Sequence, residues 1–262
     1  MLKSVLIATL LAAAALQPVG GFPDARTASG RSRAVPEDAP IDTPAPKIDV
    51  SGKVRLVENG SGRIATDASR VAIWLATLGA PDTISTISRP ASARSHFRMV
   101  QQNKTFEPEL LVVPLGSIVD FPNLDPWFHN VFSLYQGKRF DLGLYQAGSE
   151  KQVVFDRPGP SFLFCNIHPQ MTAVILTVNS DLFDISDKSG RVLIPQVPAG
   201  RYKMHVWYEN AAPEFTDTAK NIEVSAAENV LPSVSIPVAR RDRSHKDKYG
   251  NDYDPRASSP AY

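Results

Sequence analysis

One segment constrains the fold of this chain more than any other, because it contains the only cysteine. The segment is Cys165-Asn166-Ile167-His168-Pro169-Gln170-Met171, and a further histidine occurs upstream at His129. Histidine and methionine are scarce, with five and four residues among 262. A lone cysteine is often only a small buried hydrophobic residue. If these side chains act together instead, the fold must return residue 129 to the segment 165–171, as a sandwich of short strands can.

Taken together, His129, Cys165, His168 and Met171 offer two imidazoles, one thiolate and one thioether. Two histidines and a cysteine in a plane, with a weak axial methionine, hold copper in mononuclear blue-copper sites. The soft sulfur ligands stabilise Cu(I) and the imidazoles also suit Cu(II), so that one electron can pass with little rearrangement. The sequence therefore predicts one type 1 copper ion per chain and the transfer of single electrons.

The spacing Cys-x2-His-x2-Met resembles the short copper loop of the cupredoxin family, in its amicyanin- and plastocyanin-like branch. Residues 115–123 and 159–164 resemble the strands that lead to the first histidine and to the cysteine in that family. The resemblance implies a Greek-key β-sandwich over residues 96–180. It also implies that His129, Cys165 and His168 are equatorial copper ligands and that Met171 is the axial ligand.

The same resemblance assigns supporting roles to residues beside the ligands. We expect the side chain of Asn130 to connect the two ligand segments beside the cysteine sulfur. Asn166 is likewise expected to be one of the residues that surround the copper ligands and support them. Trp127, Phe128 and Pro169 are expected to form an apolar patch around the copper, where a redox partner docks. The alternatives are an ordinary turn at Asn130 and packing at the end of the sandwich for the aromatic pair.

Residues 1–21 have the pattern of a secretory signal peptide, with Lys3, an apolar run from Val5 to Leu16 and small residues at its end. The run is too short to span a bilayer, and no other segment is long and apolar enough, so we predict a periplasmic or secreted protein without a membrane span. Exported proteins commonly pair their cysteines, whereas copper ligation would protect this single thiol. The formal net charge of +1 gives no reason to expect a nucleic-acid partner.

The remaining sequence predicts an all-β protein, because its strand-like runs are short, rich in β-branched and aromatic residues, and bounded by Gly, Pro or Asn. The runs are 48–57, 71–78, 109–113, 117–121, 151–155, 161–164, 172–178 and 202–208. Residues 22–46 are rich in proline and are expected to be a disordered leader. Residues 239–262 are expected to be a disordered basic tail, with docking to an acidic partner as the alternative.

A second β unit follows the predicted copper domain. Residues 184–194 are predicted to form a hairpin with Gly190 in its turn. This stretch and the strand at 202–208 resemble the second half of carboxypeptidase-regulatory-like (transthyretin-like) domains, and residues 47–80 resemble the first half more weakly. We therefore expect a smaller β-sandwich made of residues 47–80 and 182–238, with the cupredoxin domain inserted in it. The alternative is an N-terminal β extension and a separate C-terminal domain.

These features favour a one-electron carrier over an enzyme. We expect the electron to pass through the edge of His168, and a cytochrome c or a dehydrogenase is the expected partner by analogy. Two alternatives use the same ligands, namely a copper storage or delivery protein and a copper-bearing interaction or scaffold module of an envelope complex. A copper oxidase or nitrite reductase would need a second, histidine-rich site, and this chain has histidines enough for one site only, unless a second site forms between subunits.

Overall fold

Short strands dominate the fold, as the spacing of Gly, Pro and Asn around the apolar runs predicts. The computed structural model describes residues 45–78, 94–134, 136–215, 219–239 and 245–253. Within these ranges the regular elements are seventeen β-strands, without an α-helix, and the all-β prediction is confirmed. The strands are β1 (Lys47–Glu58), β2 (Ala72–Thr77), β3 (His96–Arg98), β4 (Val100–Gln102), β5 (Thr105–Glu107), β6 (Leu110–Pro114), β7 (Ser117–Pro122), β8 (His129–Ser133), β9 (Phe140–Tyr145), β10 (Glu150–Phe155), β11 (Gly159–Phe164), β12 (Thr172–Val178), β13 (Phe183–Ile185), β14 (Arg191–Pro198), β15 (Gly200–Trp207), β16 (Lys220–Val224) and β17 (Val234–Val238).

Two sheets form a sandwich between residues 96 and 178. One sheet has three strands in the order β10-β7-β3, and the other has five in the order β6-β12-β11-β8-β9. The pairs β3–β7 and β6–β12 are parallel, and the remaining pairs in these two sheets are antiparallel. The core that both sheets line contains Phe121, Phe155 and Ile175, together with Cys165 and Met171. Two of the four predicted copper ligands therefore belong to the main core of the sandwich.

Two further sheets combine strands that precede the sandwich with strands that follow it. β1 lies between β14 and β17, antiparallel to the first and parallel to the second. β2 lies between β13 and β15, and β15 also pairs with β16. The core of these sheets includes Leu56, Ile73, Ile194, Met204 and Ile236. Residues 47–77 and 183–238 thus share one core, although the whole sandwich lies between them in the sequence.

The five-stranded sheet is covered on both faces. On its second face Leu110, Val112 and Leu176 form a core with Ala72, against which Trp207 of the four-stranded sheet packs. The sequence of β12 shows the consequence, because six of its seven residues are buried and the run is apolar almost throughout. The four larger sheets are therefore stacked as layers with three apolar cores between them.

The hairpin predicted over residues 184–194 differs from the structure. The turn forms, with the N–H of Gly190 donating to the carbonyl of Asp187 at 2.9 Å. The flanking strands then diverge, because β13 pairs with β2 whereas β14 pairs with β1 in another sheet. Ile185 packs against the core beside the sandwich, and Ile194 belongs to the core of the second unit. The two strands serve different cores, which separates them into different sheets.

The predicted signal peptide over 1–21 lies outside the described residues, as does the predicted leader over 22–46 except for residues 45 and 46. In the described part of the chain, no helix is long and apolar enough to cross a membrane. The predicted tail over 239–262 is described at residue 239 and at residues 245–253. Residues 245–253 contain a turn and make hydrogen bonds to the cysteine segment, which differs from the disordered tail that we predicted.

Candidate metal centre

Adjacent antiparallel strands bring the predicted ligands together. β11 pairs with β8 at the last residue of β11, so the chain that continues into Cys165 runs beside the residues that lead back to His129. A tight loop then carries His168 and closes at Met171. The N–H of Met171 donates to the carbonyl of His168 at 3.0 Å, and the N–H of Cys165 donates to the carbonyl of Met171 at 3.3 Å. Two main-chain hydrogen bonds thus shape the segment that carries three of the predicted ligands.

Three donor atoms converge in this loop. The Sγ of Cys165 lies 3.9 Å from Nδ1 of His129 and 3.7 Å from Nδ1 of His168, and the two Nδ1 atoms are 3.0 Å apart. All three side chains are buried. In the described residues, they form a group whose ligand atoms lie within 4.8 Å of one another. Residues that are far apart in the sequence therefore meet as the spacing predicts.

The donor set fits a metal ion. A point equidistant from three atoms with these separations lies about 2 Å from each, close to the metal–nitrogen distance found in protein sites. Met171 is fully buried and belongs to the same core cluster as Cys165, at the end of the loop. A thioether is a weak, soft donor, which matches copper better than it matches the harder divalent metals. The arrangement can hold a small ion between one sulfur and two nitrogens.

Asp125, which no sequence pattern singles out, fixes the orientation of the first histidine. Its Oδ2 lies 2.8 Å from Nε2 of His129 in a buried contact. A carboxylate accepts hydrogen bonds, so Nε2 carries the hydrogen and Nδ1 presents its lone pair to the centre. The only signal in the sequence is an acidic residue four positions before the histidine. That spacing occurs commonly without such a contact.

Asp125 is itself held by main-chain donors. Its two carboxylate oxygens accept the N–H groups of Asn103 and Lys104 at 2.7 and 2.8 Å. Burial would raise the pKa of Asp125, but these hydrogen bonds and the one from His129 bring it below its usual value. The carboxyl group is therefore ionised at neutral pH and places a negative charge behind His129.

Burial controls the protonation of the ligands. It raises the pKa of the Cys165 thiol, against the opposing effect of N–H groups from Asn130, Ile167 and His168 that point at the sulfur. It lowers the pKa of His129, and it lowers that of His168 to about 4, with the charge of His129 adding to the effect. Both imidazoles are thus neutral at pH 7 and able to bind a metal. The thiol requires a metal to ionise, and the three N–H groups are ready to stabilise the thiolate.

The two asparagines lie beside the ligands but make contacts that the resemblance did not imply. The side chain of Asn130 donates to Oδ1 of Asp141 at 2.8 Å, while its main-chain N–H points at the cysteine sulfur. The side chain of Asn166 accepts the N–H of Lys248 at 2.9 Å. Asn130 therefore connects the first histidine to β9, and Asn166 connects the cysteine segment to the C-terminal residues.

The predicted docking residues lie on the surface, whereas the second histidine does not. Trp127 and Phe128 are 41% and 52% exposed and precede His129 directly, and Pro169 is exposed beside His168. His168 itself is 2% exposed, and its Nε2 is buried without a hydrogen-bond partner among the described residues. The edge of His168, through which we expect the electron to pass, is therefore almost completely covered.

Comparisons with known proteins give limited similarity. No protein-family model matches the chain, and no curated protein matches it. Among solved structures, a copper-containing nitrite reductase (NirK) from Thermus scotoductus SA-01 is 24% identical over 32% of this chain, with a TM-score of 0.31. A mutant of amicyanin with Cu(I) is 16% identical over 32% of this chain and 82% of its own, with a TM-score of 0.30. A purple cupredoxin from Nitrosopumilus maritimus is 22% identical over 31% of this chain and 98% of its own, with a TM-score of 0.28.

The match spans only 22% of the length of the nitrite reductase. Because these identities are below 25% and the TM-scores are about 0.3, the assignment of a function depends on the side chains of this chain.

Proposed function

We propose that this protein binds one copper ion and carries single electrons between redox partner proteins. The observation that supports this best is the buried convergence of Nδ1 of His129, Sγ of Cys165 and Nδ1 of His168. We assign Met171 as a weak axial ligand, because it is buried in the same core at the end of the loop. Zinc sites of the structural kind use four strong ligands, so a thioether in the fourth position favours copper.

Copper bound in this loop would supply a one-electron couple between Cu(I) and Cu(II). The chain contributes a fixed set of donors that suits both states. Two backbone hydrogen bonds close the loop, three N–H groups point at the sulfur, and Asp125 holds the ring of His129. A donor set that barely moves between the two oxidation states lowers the reorganisation that accompanies electron transfer.

Burial of the ligands supports a carrier of electrons over a protein that delivers copper. Delivery requires an incoming ligand from a receiving protein to reach the ion and displace its donors. Here His129 and Cys165 are fully buried and His168 is 2% exposed, so the loop would have to open before copper could leave. We therefore propose slow exchange of copper and, by contrast, fast exchange of electrons at the surface near Trp127 and Phe128.

We also propose a cellular compartment and a partner for this protein. An N-terminal segment with signal-peptide character and a single thiol support export to a periplasm. A cytochrome c or a dehydrogenase would suit the exposed aromatic pair beside the first ligand. We further propose that residues 47–80 and 182–238 are one discontinuous, transthyretin-like domain that acts as a scaffold, because their strands share one core.

A redox-cycling experiment separates the two roles. The copper-loaded protein is reduced with ascorbate and reoxidised with ferricyanide through several cycles, with a Cu(I) chelator present in excess. An electron carrier completes the cycles with its copper content unchanged. A delivery protein loses Cu(I) to the chelator during the first reduced period. Loss of the copper to the chelator during the first reduced period would contradict the proposed function.

A further inference from the structure

The C-terminal segment His245–Tyr253 is folded by its own hydrogen bonds, and it contacts the loop of residues 165–171. The carboxylate of Asp247 accepts the N–H groups of Tyr249 and Asn251 at 2.9 and 2.8 Å. The carbonyl of Asp247 accepts the N–H of Gly250 at 3.0 Å, and its N–H donates to the carbonyl of Asn251 at 2.9 Å. These bonds make a closed turn, so the two ends of the segment are presented in a defined geometry.

One end of this segment binds the cysteine residue itself. The phenol of Tyr253 donates to the main-chain carbonyl of Cys165 at 2.7 Å. Nδ1 of His245 lies 3.2 Å from the same phenol oxygen, and the ring of His245 packs on the ring of Phe164 with centroids 4.4 Å apart. Two aromatic side chains from the C-terminal segment therefore contact Cys165 and the residue that precedes it.

The middle of the segment contacts the cysteine loop directly and the strand of the first histidine through Asp141 of β9. The main-chain N–H of Lys248 donates to Oδ1 of Asn166, the residue after the cysteine, at 2.9 Å. The Nζ of Lys248 lies 2.7 Å from Oδ2 of Asp141, whose Oδ1 accepts the side chain of Asn130 at 2.8 Å. Asn130 follows His129 directly. A continuous chain of polar contacts thus joins the cysteine loop to the strand of the first histidine through Lys248.

We infer that Tyr253 and Lys248 are positioning residues of the metal centre, which hold the cysteine loop against the His129 strand. The inference deepens the proposed function, since the loop that they hold is the one to which we assign copper. The contact at the Cys165 carbonyl limits rotation of the peptide unit between Cys165 and Asn166, which directly precedes the units whose N–H groups, those of Ile167 and His168, point at the sulfur. The contact through Asp141 and Asn130 fixes the distance between the two ligand segments. Removal of either contact lets the loop open more often and lets the metal leave faster.

The first test uses the full-length protein without metal, so it does not depend on copper. Tyr253→Phe removes the phenol hydroxyl and leaves the ring. The control is Tyr202→Phe, because Tyr202 also donates from its hydroxyl to a carbonyl, that of Pro198, at 2.7 Å in the second β unit. Loss of one such hydrogen bond should raise the hydrogen-exchange rates of the amides at residues 165–171 about fivefold in Tyr253→Phe. Tyr202→Phe should leave these rates unchanged.

The second test measures the release of copper and the colour of the site. Lys248→Met removes the charged contact to Asp141, and Lys138→Met is its control, because Nζ of Lys138 makes a similar contact to Asp156 at 2.9 Å. Tyr253→Phe and Lys248→Met should each release copper to a chelator several-fold faster than the wild-type protein and should shift the sulfur-to-copper absorption band. The two controls should match the wild-type protein in both measurements.

The outcomes distinguish this inference from the proposed function. If the amides at 165–171 exchange at the same rate in Tyr253→Phe and Tyr202→Phe, the positioning role is wrong, whatever metal binds. If exchange rises in Tyr253→Phe but the wild-type protein forms no copper–thiolate band, the positioning role stands and the proposed function is wrong. Uniformly faster exchange throughout the chain in Tyr253→Phe would indicate a general loss of stability, and it would contradict a local role.

Discussion

At the scale of single residues, Asp125 has the clearest electrostatic effect on the candidate centre. It places a buried negative charge on the side of His129 that faces away from the other donors. A negative charge stabilises the more positive, oxidised state of a bound metal, and it also strengthens the imidazole as a donor. We therefore expect Asp125 to lower the reduction potential of the proposed copper ion, although Asp125 itself would not bind the metal.

Replacement of this charge should be visible in the potential. Asp125→Asn should raise the reduction potential of the copper-loaded protein by something on the order of 100 mV, because one charge is removed a few ångströms behind a ligand. Asp187→Asn is the control, since it makes the same change of charge in a turn of the second β unit. Voltammetry of the two variants checks the prediction. Equal potentials for the two variants would show that Asp125 does not act on the metal.

The buried histidines also predict how the metal-free protein depends on pH. The pKa of His168 is lowered to about 4 by burial and by the neighbouring His129, whereas the unfolded chain has the ordinary value of 6.5. Between pH 6.5 and about 4, His168 therefore binds a proton in the unfolded state but not in the folded state. The free energy of unfolding should fall as the pH drops from about 6.5 to about 4. Urea unfolding of the metal-free protein at several pH values measures this slope.

His168→Asn provides the comparison for that measurement, because it removes the titrating group and leaves a polar side chain in its place. The variant should lose a substantial part of the slope between pH 6.5 and 4. An identical slope in the variant and in the wild-type protein would show that His168 is protonated equally in both states.

The residue scale also separates what the sequence can predict about the site from what it cannot. The spacing of Cys165, His168 and Met171 is local, so the ligand loop can be identified from its pattern, and His129 follows from the chemistry that the loop requires. Asp125 and Tyr253 contact the site through tertiary hydrogen bonds and have no local signature. Such contacts depend on how strands and the C-terminal segment are placed, and this placement comes from long-range pairing rather than from sequence spacing.

At the scale of elements, β12 connects the candidate centre to the rest of the molecule. It begins one residue after Met171, and its side chains point into two different cores. Ile175 belongs to the core that contains Cys165, and Leu176 belongs to the core against the second unit. Residues that are exposed on an ordinary sandwich surface are therefore part of a buried interface here, and the position of the candidate ligand loop at 165–171 depends on both cores.

Truncation of either face should destabilise the protein to a similar degree. Ile175→Ala and Leu176→Ala should each lower the free energy of unfolding by about 2–5 kcal/mol, because each leaves a cavity in a closed core. Leu193→Ala is the control, since Leu193 is 54% exposed and its truncation should change little. Urea unfolding measures all three. If Leu176→Ala behaved like Leu193→Ala, the packing of the second unit on β12 would be refuted.

Elements were predictable where the local pattern decides them. The runs at 117–121 and 172–178 correspond to β7 and β12 within one residue, because short runs rich in β-branched and aromatic residues between turn residues favour strands. The run at 184–194 predicts a hairpin, and this prediction is wrong, because a turn at Gly190 is compatible with two strands in one sheet or in two. Only the partners of the strands decide between these arrangements, and β1 and β2 are more than a hundred residues away.

At the scale of the whole molecule, four stacked sheets share three cores, so the described parts of the two β units depend on each other. We expect thermal unfolding to be a single cooperative transition. Far-UV circular dichroism should report all the sheets, and tryptophan fluorescence should report Trp127 beside the candidate site and Trp74 and Trp207 at the layer between the units. The two signals should have the same midpoint, and added copper should move them together. Separate midpoints would contradict a shared core.

We propose that Cys165, His129 and His168 hold one copper ion through a copper–thiolate bond. The most direct measurement is the visible absorption spectrum of the purified protein with one equivalent of Cu(II), recorded in parallel for Cys165→Ser. The wild-type protein should show an intense charge-transfer band that saturates at one equivalent and disappears on reduction with ascorbate. Cys165→Ser should lack the band and keep its far-UV circular dichroism spectrum. A wild-type protein without the band, or a band that persists in Cys165→Ser, would contradict a copper–thiolate bond at Cys165.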